Sequence, residues 1–201
     1  HLNEMRQKFP GKPYFFPNPV DGAVDCLRNF EKSDFTYDVL YCGRDRNRPE
    51  RSEYFRELES RAEDVSFSYH GILDKPLAIG SNYFSALESC SMALNISDRN
   101  DIEYYSSDRV AQLTGNGLCV FCPRIPKYEK IYSADEVVYF DSTNDLIEKL
   151  RYYKERFLER AKIAKAGWQR AHQSYSSHRV TNYFLDVLFD QEPSKYEWYT
   201  Y

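Results

Sequence analysis

"YDVLYCGRDRNRPERSEYFRELESR", residues 37–61, passes from an apolar run through a basic loop into an amphipathic segment. "DVLYC" ends on Gly43 like a buried strand, so residues 38–42 are expected as the first strand of a sheet. Tyr54, Phe55 and Leu58 recur at helical spacing over 51–62 and put one apolar face inward. The same unit returns along the chain. "VSFSYHG" (65–71) alternates and stops at Gly71, "SNYFSALESCS" (81–91) reads as a helix with Tyr83, Phe84, Leu87 and Cys90 inward, and "MALNIS" (92–97) as a short strand. Residues 107–115 predict a helix, "GLCVFC" (117–122) a strand and "EVVYF" (136–140) another. Residues 142–175 read as one long helical stretch, N-capped by Ser142 or Thr143 and interrupted at Gly167, with a final helix over 176–189. Strands that alternate with helices predict an α/β fold, a doubly wound parallel sheet of Rossmann-like kind.

The flanks read differently. "HLNEMRQKF" is helical in pattern, and the three prolines of "PYFFPNPVD" forbid a regular element there. Residues 1–22 are therefore expected to end an N-terminal domain or form its linker, with 23–189 as the folded domain. The tail, 190–201, is polar and aromatic and is expected to wind across the surface.

The totals narrow the function. With 201 residues one core can form, and a net charge of −4 does not indicate a general nucleic-acid footprint. No apolar run reaches the length of a membrane span. The 18 tyrosines suit packing and also surfaces that touch sugars, bases or proteins. Of five cysteines, Cys119 and Cys122 form a C-x-x-C, but "LCVFCP" has the look of a strand and no second such pair exists. Reduced, buried, structural thiols in a cytoplasmic protein are expected.

Open parallel sheets bind ligands beyond the carboxyl ends of their strands, which points to loops 43–52, 70–80, 97–107 and 122–130. In the first, Arg44, Arg46, Arg48 and Arg51 could grip a diphosphate, with Asp45, Glu50 and Glu53 interleaved. In the second, His70 and Gly71 end a strand, and backbone amides there could read a base edge. In the third, Ser106, Ser107 and Asp108 stand at a helix N-terminus, where free amides attract phosphate. Arg109 follows in the first turn, a position unfavourable to a cation unless an anion faces it. Ser107 could equally be a plain N-cap. Asp98, Asp101 and Glu103 lack the glycine of a calcium loop and read as solvated, so no metal site is expected.

The ordered series "YFSALESCSMALNIS", "SSDRVAQLTGNGLCVFCPRI", "EVVYFDSTNDLIEKL", Ala166-Gly167 and His178-Arg179 resembles the C-terminal nucleotide-sugar-binding domain of GT-B glycosyltransferases, the glycosyl transferases group 1 type. The resemblance covers roughly residues 14–189, with "FPNPVD" as the interdomain link. It implies one half of a GT-B architecture, which binds a UDP- or GDP-linked sugar for transfer to a glycan, lipid or protein acceptor. Hexosyl transfer with retention, a place in polysaccharide biosynthesis and a cytoplasmic location, peripheral at the inner membrane, go with it. No cofactor is implied. The acceptor site would need an N-terminal domain in the same or another chain. The donor residues implied are Gly43, Arg44, His70, Gly71, Ser97, Tyr105, Ser106, Ser107, Arg109 and Gln112. Where the family carries a glutamate against the donor ribose, this chain has Gln112, which keeps hydrogen bonding without the charge. The family's second acid falls on Tyr104, beside Glu103, which is the expected catalytic carboxylate. A binding module of the same fold with a decayed site is the alternative reading. A dinucleotide enzyme is disfavoured because no G-x-G-x-x-G follows the first strand.

Overall fold

The computed structural model of the chain describes residues 13–44, 49–97 and 99–200. The expected helix at the start of the chain, Arg46, Arg48 and Asp98 lie outside them. Five strands, β1 (Tyr37–Cys42), β2 (Phe67–His70), β3 (Cys90–Leu94), β4 (Cys119–Pro123) and β5 (Val138–Phe140), form one sheet in the order β2-β1-β3-β4-β5. Every neighbouring pair is parallel. The helices are α1 (Pro49–Arg61), α2 (Ser81–Glu88), α3 (Asp108–Gly115), α4 (Thr143–Glu155), α5 (Phe157–Ser174) and α6 (Ser177–Leu188).

Side chains alternate across the strands and feed two cores. Val39, Tyr41, Met92, Leu94, Phe121 and Phe140 pack with Phe55 and Leu58 of α1 and Leu146 and Leu150 of α4. Leu40, Ala93, Val120 and Tyr139 pack on the opposite face with Leu87 of α2 and Val110 and Leu113 of α3. The chain steps sideways from β1 to β2, then reverses to reach β3. With a constant crossover hand, that reversal moves the connecting helices to the other face. The crevice of the reversal opens between the carboxyl ends of β1 and β3. Cys119 and Cys122 are three apart on one strand, so they face opposite cores and cannot act as a pair. Both are free and buried, and burial pushes each thiol up to about 12, so they remain protonated.

Three expectations are corrected. The stretch 142–175 breaks at Arg156, not at Gly167. Ser142 does cap α4, its hydroxyl accepting from the Asp145 amide at 3.2 Å. The other end of α4 is closed by Arg160, whose buried guanidinium donates to the carbonyls of Tyr153 (2.9 Å) and Lys154 (3.0 Å). Gly167 lies inside α5, at a point where only a glycine fits, because a Cβ there would sit 2.4 Å from the Glu136 carbonyl oxygen. Cys90 opens β3 and does not extend α2, and β3 ends at Leu94. The tail crosses the surface only in part: residues 190–195 are mostly exposed, but Tyr196 and Trp198 are buried in the same core as Val120 and Tyr139.

The segment before β1 is tied in at two places. Val20 is fully buried, its amide donating to the Tyr175 carbonyl at 2.8 Å and its carbonyl accepting from the Ser177 amide at 2.8 Å. Asn29 sends its side-chain amide to the carbonyls of Leu87 (2.7 Å), in the last turn of α2, and Cys90 (2.9 Å), the first residue of β3. Asn29→Ala leaves those buried carbonyls without this donor and is expected to cost about 1–3 kcal/mol in urea unfolding. A loss below a few tenths would mean that water replaces the amide.

Candidate functional site

A cavity of about 330 Å³ opens over the crevice between β1 and β3. Strand ends, the first turns of three helices and the loops between them build it. Gly43 and Arg44 arrive from β1, His70 from β2, Ser97 and Tyr105 from the loop after β3, and Ser107, Arg109 and Gln112 from α3. Arg51 of α1, Tyr83 of α2, Leu77, Ala78, Cys42 and Asp108 complete the wall.

The Ile96 carbonyl, just past β3, organises the basic side. It accepts from Arg109 Nη1 at 2.9 Å, Arg51 Nη2 at 3.4 Å and the Tyr41 hydroxyl at 3.4 Å. Arg51 also donates to the Arg44 carbonyl at 2.9 Å, which closes the start of the loop after β1 onto α1. The Arg109 guanidinium lies 5.0 Å from the centre of the Tyr41 ring. No carboxylate pairs with Arg109 among the described residues; Asp108 takes its backbone amide at 3.0 Å. A cation is thus held at a helix N-terminus by a carbonyl and a ring face, with no fixed negative partner among the described residues.

Ser107 occupies the N-cap position of α3, but its side chain caps nothing. Its hydroxyl donates instead to Asn95 Oδ1 at 3.2 Å, and Asn95 is buried at the end of β3. That bond pins the helix start to the sheet, with Ser107, Asp108 and Arg109 on the cavity wall. About one turn further along α3, Gln112 Oε1 accepts from the Tyr83 hydroxyl at 2.9 Å. His70 lies near Leu77 and Ala78, its Nε2 3.1 Å from the Ser68 hydroxyl. Burial lowers its pKa, which favours the neutral ring.

Three expected site residues are not brought to this wall. Glu103 is exposed and paired with Lys127 at 2.9 Å. Its neighbour Tyr104 is buried at a positive φ of 57°, its amide bonded to the Pro126 carbonyl, which turns Glu103 outward. The Gly71 amide is not open to a base, because it donates to the Pro76 carbonyl at 3.0 Å. Ser106 gives its carbonyl to Asn18 Nδ2 at 3.0 Å, linking the loop to the segment before β1. Sequence pattern marks Tyr83 as a core residue and Asp108 as a helix cap, and both line the wall. Arg51 was visible as part of the basic loop. Among the described residues no group of acidic, histidine and cysteine side chains could hold a metal ion, and no helix is long and apolar enough to cross a membrane.

The profile of one family, described as "Glycosyl transferase-like", matches residues 48–186. A search of curated protein sequences finds no match. Among solved structures, TarM superposes with a TM-score of 0.65 at 11% identity, over 92% of this chain and 41% of TarM. A sucrose-phosphate synthase from Thermosynechococcus elongatus gives 0.62 at 9% identity, over 94% of this chain and 56% of the synthase. An α1,3-fucosyltransferase crystallised with GDP gives 0.56 at 14% identity, over 80% of this chain and 52% of that one. At these identities the likeness is one of fold. The chain spans about half the length of the proteins it superposes on.

Proposed function

Because the chain belongs to the glycosyl transferase-like family, we propose that it is the donor-binding half of a glycosyltransferase and takes a nucleotide-diphosphate sugar in the cavity over β1 and β3. The observation that carries this reading is Arg109, a guanidinium in the cavity wall with no carboxylate partner among the described residues. A diphosphate supplies the missing charge. Its oxygens would meet Arg109, Arg51 and Arg44 together with the positive end of α3. The neutral His70 ring beside Leu77 and Ala78 offers an uncharged, partly apolar wall suited to a base. Gln112 lies where the family's glutamate meets the ribose, and the transferred sugar would face Ser97 and Tyr105.

The chemistry follows from the charges. When the sugar–phosphate bond breaks, negative charge gathers on the departing nucleoside diphosphate. Cations and amides already aimed at that position lower the barrier without reorganising. The reading requires no metal, since the arginines and the helix end neutralise the diphosphate. The acceptor, a glycan, lipid or protein, would approach from a second domain in the same or another chain. Transfer of a hexose with retention, in cytoplasmic polysaccharide synthesis, is the finer form of this proposal.

A thermal-shift and calorimetry panel of UDP, GDP, ADP and CMP tests it. UDP or GDP is expected to raise the melting temperature. Arg109→Ala is expected to weaken that binding by about 1.5–3 kcal/mol, the scale of a hydrogen bond to a charged group, with unfolding unchanged. Full affinity in Arg109→Ala would make the arginine structural and sink the assignment. A melting temperature indifferent to all of them would favour a binding module of the same fold.

A further inference from the structure

We propose that the open edge of the sheet, along β2, joins two copies of this chain. β2 of each copy lies antiparallel to β2 of the other, and the two sheets become one. The inference stands apart from the nucleotide reading above.

β2 is the outermost strand on its side of the sheet, with β1 as its strand neighbour. The ladder to β1 fixes which backbone groups are used. The Val39 amide donates to the Ser66 carbonyl at 3.0 Å, and the Gly43 amide to the His70 carbonyl at 3.0 Å. Backbone groups alternate in direction along a strand. Ser66, Ser68 and His70 therefore face β1, while Phe67 and Tyr69 turn their amides and carbonyls outward. No described residue pairs with those outward groups. A groove of about 600 Å³ runs along this side, bordered by all of β2 and by Arg56 and Glu59 of α1. Beyond its shortness, the strand carries none of the devices that blunt an open edge. "FSYH" holds no proline and no lysine, and its register with β1 runs without a bulge.

This edge is complementary to its own copy. A two-fold axis at Ser68 sets Phe67 opposite the partner's Tyr69, and Tyr69 opposite the partner's Phe67. Each such pair exchanges both of its N–H···O=C bonds, so every outward group finds a partner. The side chains agree with that register. Phe67 and Tyr69 stack on one face, ring centres 5.4 Å apart and planes within 5°, and the pairing sets aromatic against aromatic across the two strands. α1 lies on the same face, where Phe55 packs edge-on to Tyr69 at 5.5 Å. It presents Arg56 and Glu59 about one turn apart, both exposed and neither in an ion pair among the described residues. The axis that reverses β2 also reverses α1, and so brings Arg56 toward the partner's Glu59 and Glu59 toward the partner's Arg56. A groove of one sign would repel its copy; this one carries both signs in exchangeable places. The Tyr69 hydroxyl, buried and without a partner among the described residues, borders the same groove, where a second chain can supply its acceptor.

Sedimentation velocity and amide hydrogen exchange on the full chain test this. The wild-type chain is expected to sediment as a dimer that dissociates on dilution. The Phe67 and Tyr69 amides should exchange more slowly as concentration rises, while those of Ser68 and His70, already bonded to β1, change little. Phe67→Pro removes an outward N–H that the ladder to β1 does not use, and should weaken the dimer about tenfold or more. Arg56→Glu and Glu59→Arg are exposed changes that leave the core alone. Each should weaken the dimer about threefold or more, and the double variant should recover it, because exchanging the two signs restores the complement. Thermal unfolding checks the fold of Phe67→Pro, and the charge variants carry the test if it does not fold. A chain that stays monomeric at its highest soluble concentration overturns the inference. So does a dimer that the variants leave intact, or one whose Phe67 and Tyr69 amides exchange at the same rate at every concentration, since the contact would then lie on another face.

Discussion

Trp198→Ala is expected to destabilise the protein by about 3–5 kcal/mol, the range for truncating a buried tryptophan. The indole is fully buried near the end of a tail that could have been taken for a loose surface segment. Its ring centre lies 5.6 Å from Tyr175 and from Tyr183 and 5.4 Å from Tyr196, with the Arg179 guanidinium 5.3 Å away. The tail is fastened beside it. Glu197 pairs with Arg179 at 2.6 Å, Lys195 with Asp186 at 2.7 Å, and the Tyr196 hydroxyl donates to Asp186 at 2.9 Å. The indole N–H finds no acceptor among the described residues, so Trp198→Phe gives back part of what it loses in area by removing an unsatisfied donor. The alanine variant should melt on the order of 10 °C lower, and the phenylalanine variant well above it. A change of only a degree or two in Trp198→Ala would show that the tail contributes no packing of weight.

The difference between what the sequence announces and what it hides has a physical cause. The strands and helices are visible because their signal is local: Tyr54, Phe55 and Leu58 repeat at helical spacing, and the apolar run at 38–42 stops at a glycine. The cavity wall is visible for a related reason. In an open parallel sheet ligands lie beyond strand ends, so the loops that carry Gly43, Arg44, His70 and Ser97 follow from strand order and Arg109 from its place in a first helix turn, and the fold brings them to one cavity. Hidden features depend on partners far away in the chain. Nothing near Tyr83 indicates that its hydroxyl reaches Gln112, 29 residues on. Nothing near Arg160 shows that it closes the end of α4, so the helical pattern ran on through Arg156. β3 is buried on both faces, and without alternation its start could not be separated from the end of α2. Glu103 failed to reach the cavity because a single residue, Tyr104, adopts a left-handed conformation that spacing does not reveal. In the tail, polar residues between the aromatics masked the anchoring power of Trp198.

Gly71→Ala is the second large loss expected, about 3–5 kcal/mol from strain and overlap together. Gly71 sits at φ +75°, and a Cβ built there would stand 2.0 Å from the Gly43 carbonyl oxygen and 2.5 Å from Leu77 Cδ2. Leu77 is partly exposed and can swing aside. The Gly43 carbonyl cannot, since the Gly43 amide donates to the His70 carbonyl and holds the ends of β1 and β2 together. The loop 71–77 must therefore lift, and Leu77 and His70, both on the cavity wall, move with it. Gly80 separates the two costs. It also has a positive φ, 58°, with ψ −130°, but a Cβ there meets nothing within 4 Å, so Gly80→Ala carries the strain alone, about 1–3 kcal/mol. The excess of Gly71→Ala over Gly80→Ala in urea unfolding measures the overlap with Gly43. If the two variants lose the same stability, the close approach of the β1 and β2 ends carries no energetic weight. If Gly71→Ala folds and still binds UDP or GDP as the wild type does, the rim it supports is not part of the nucleotide site.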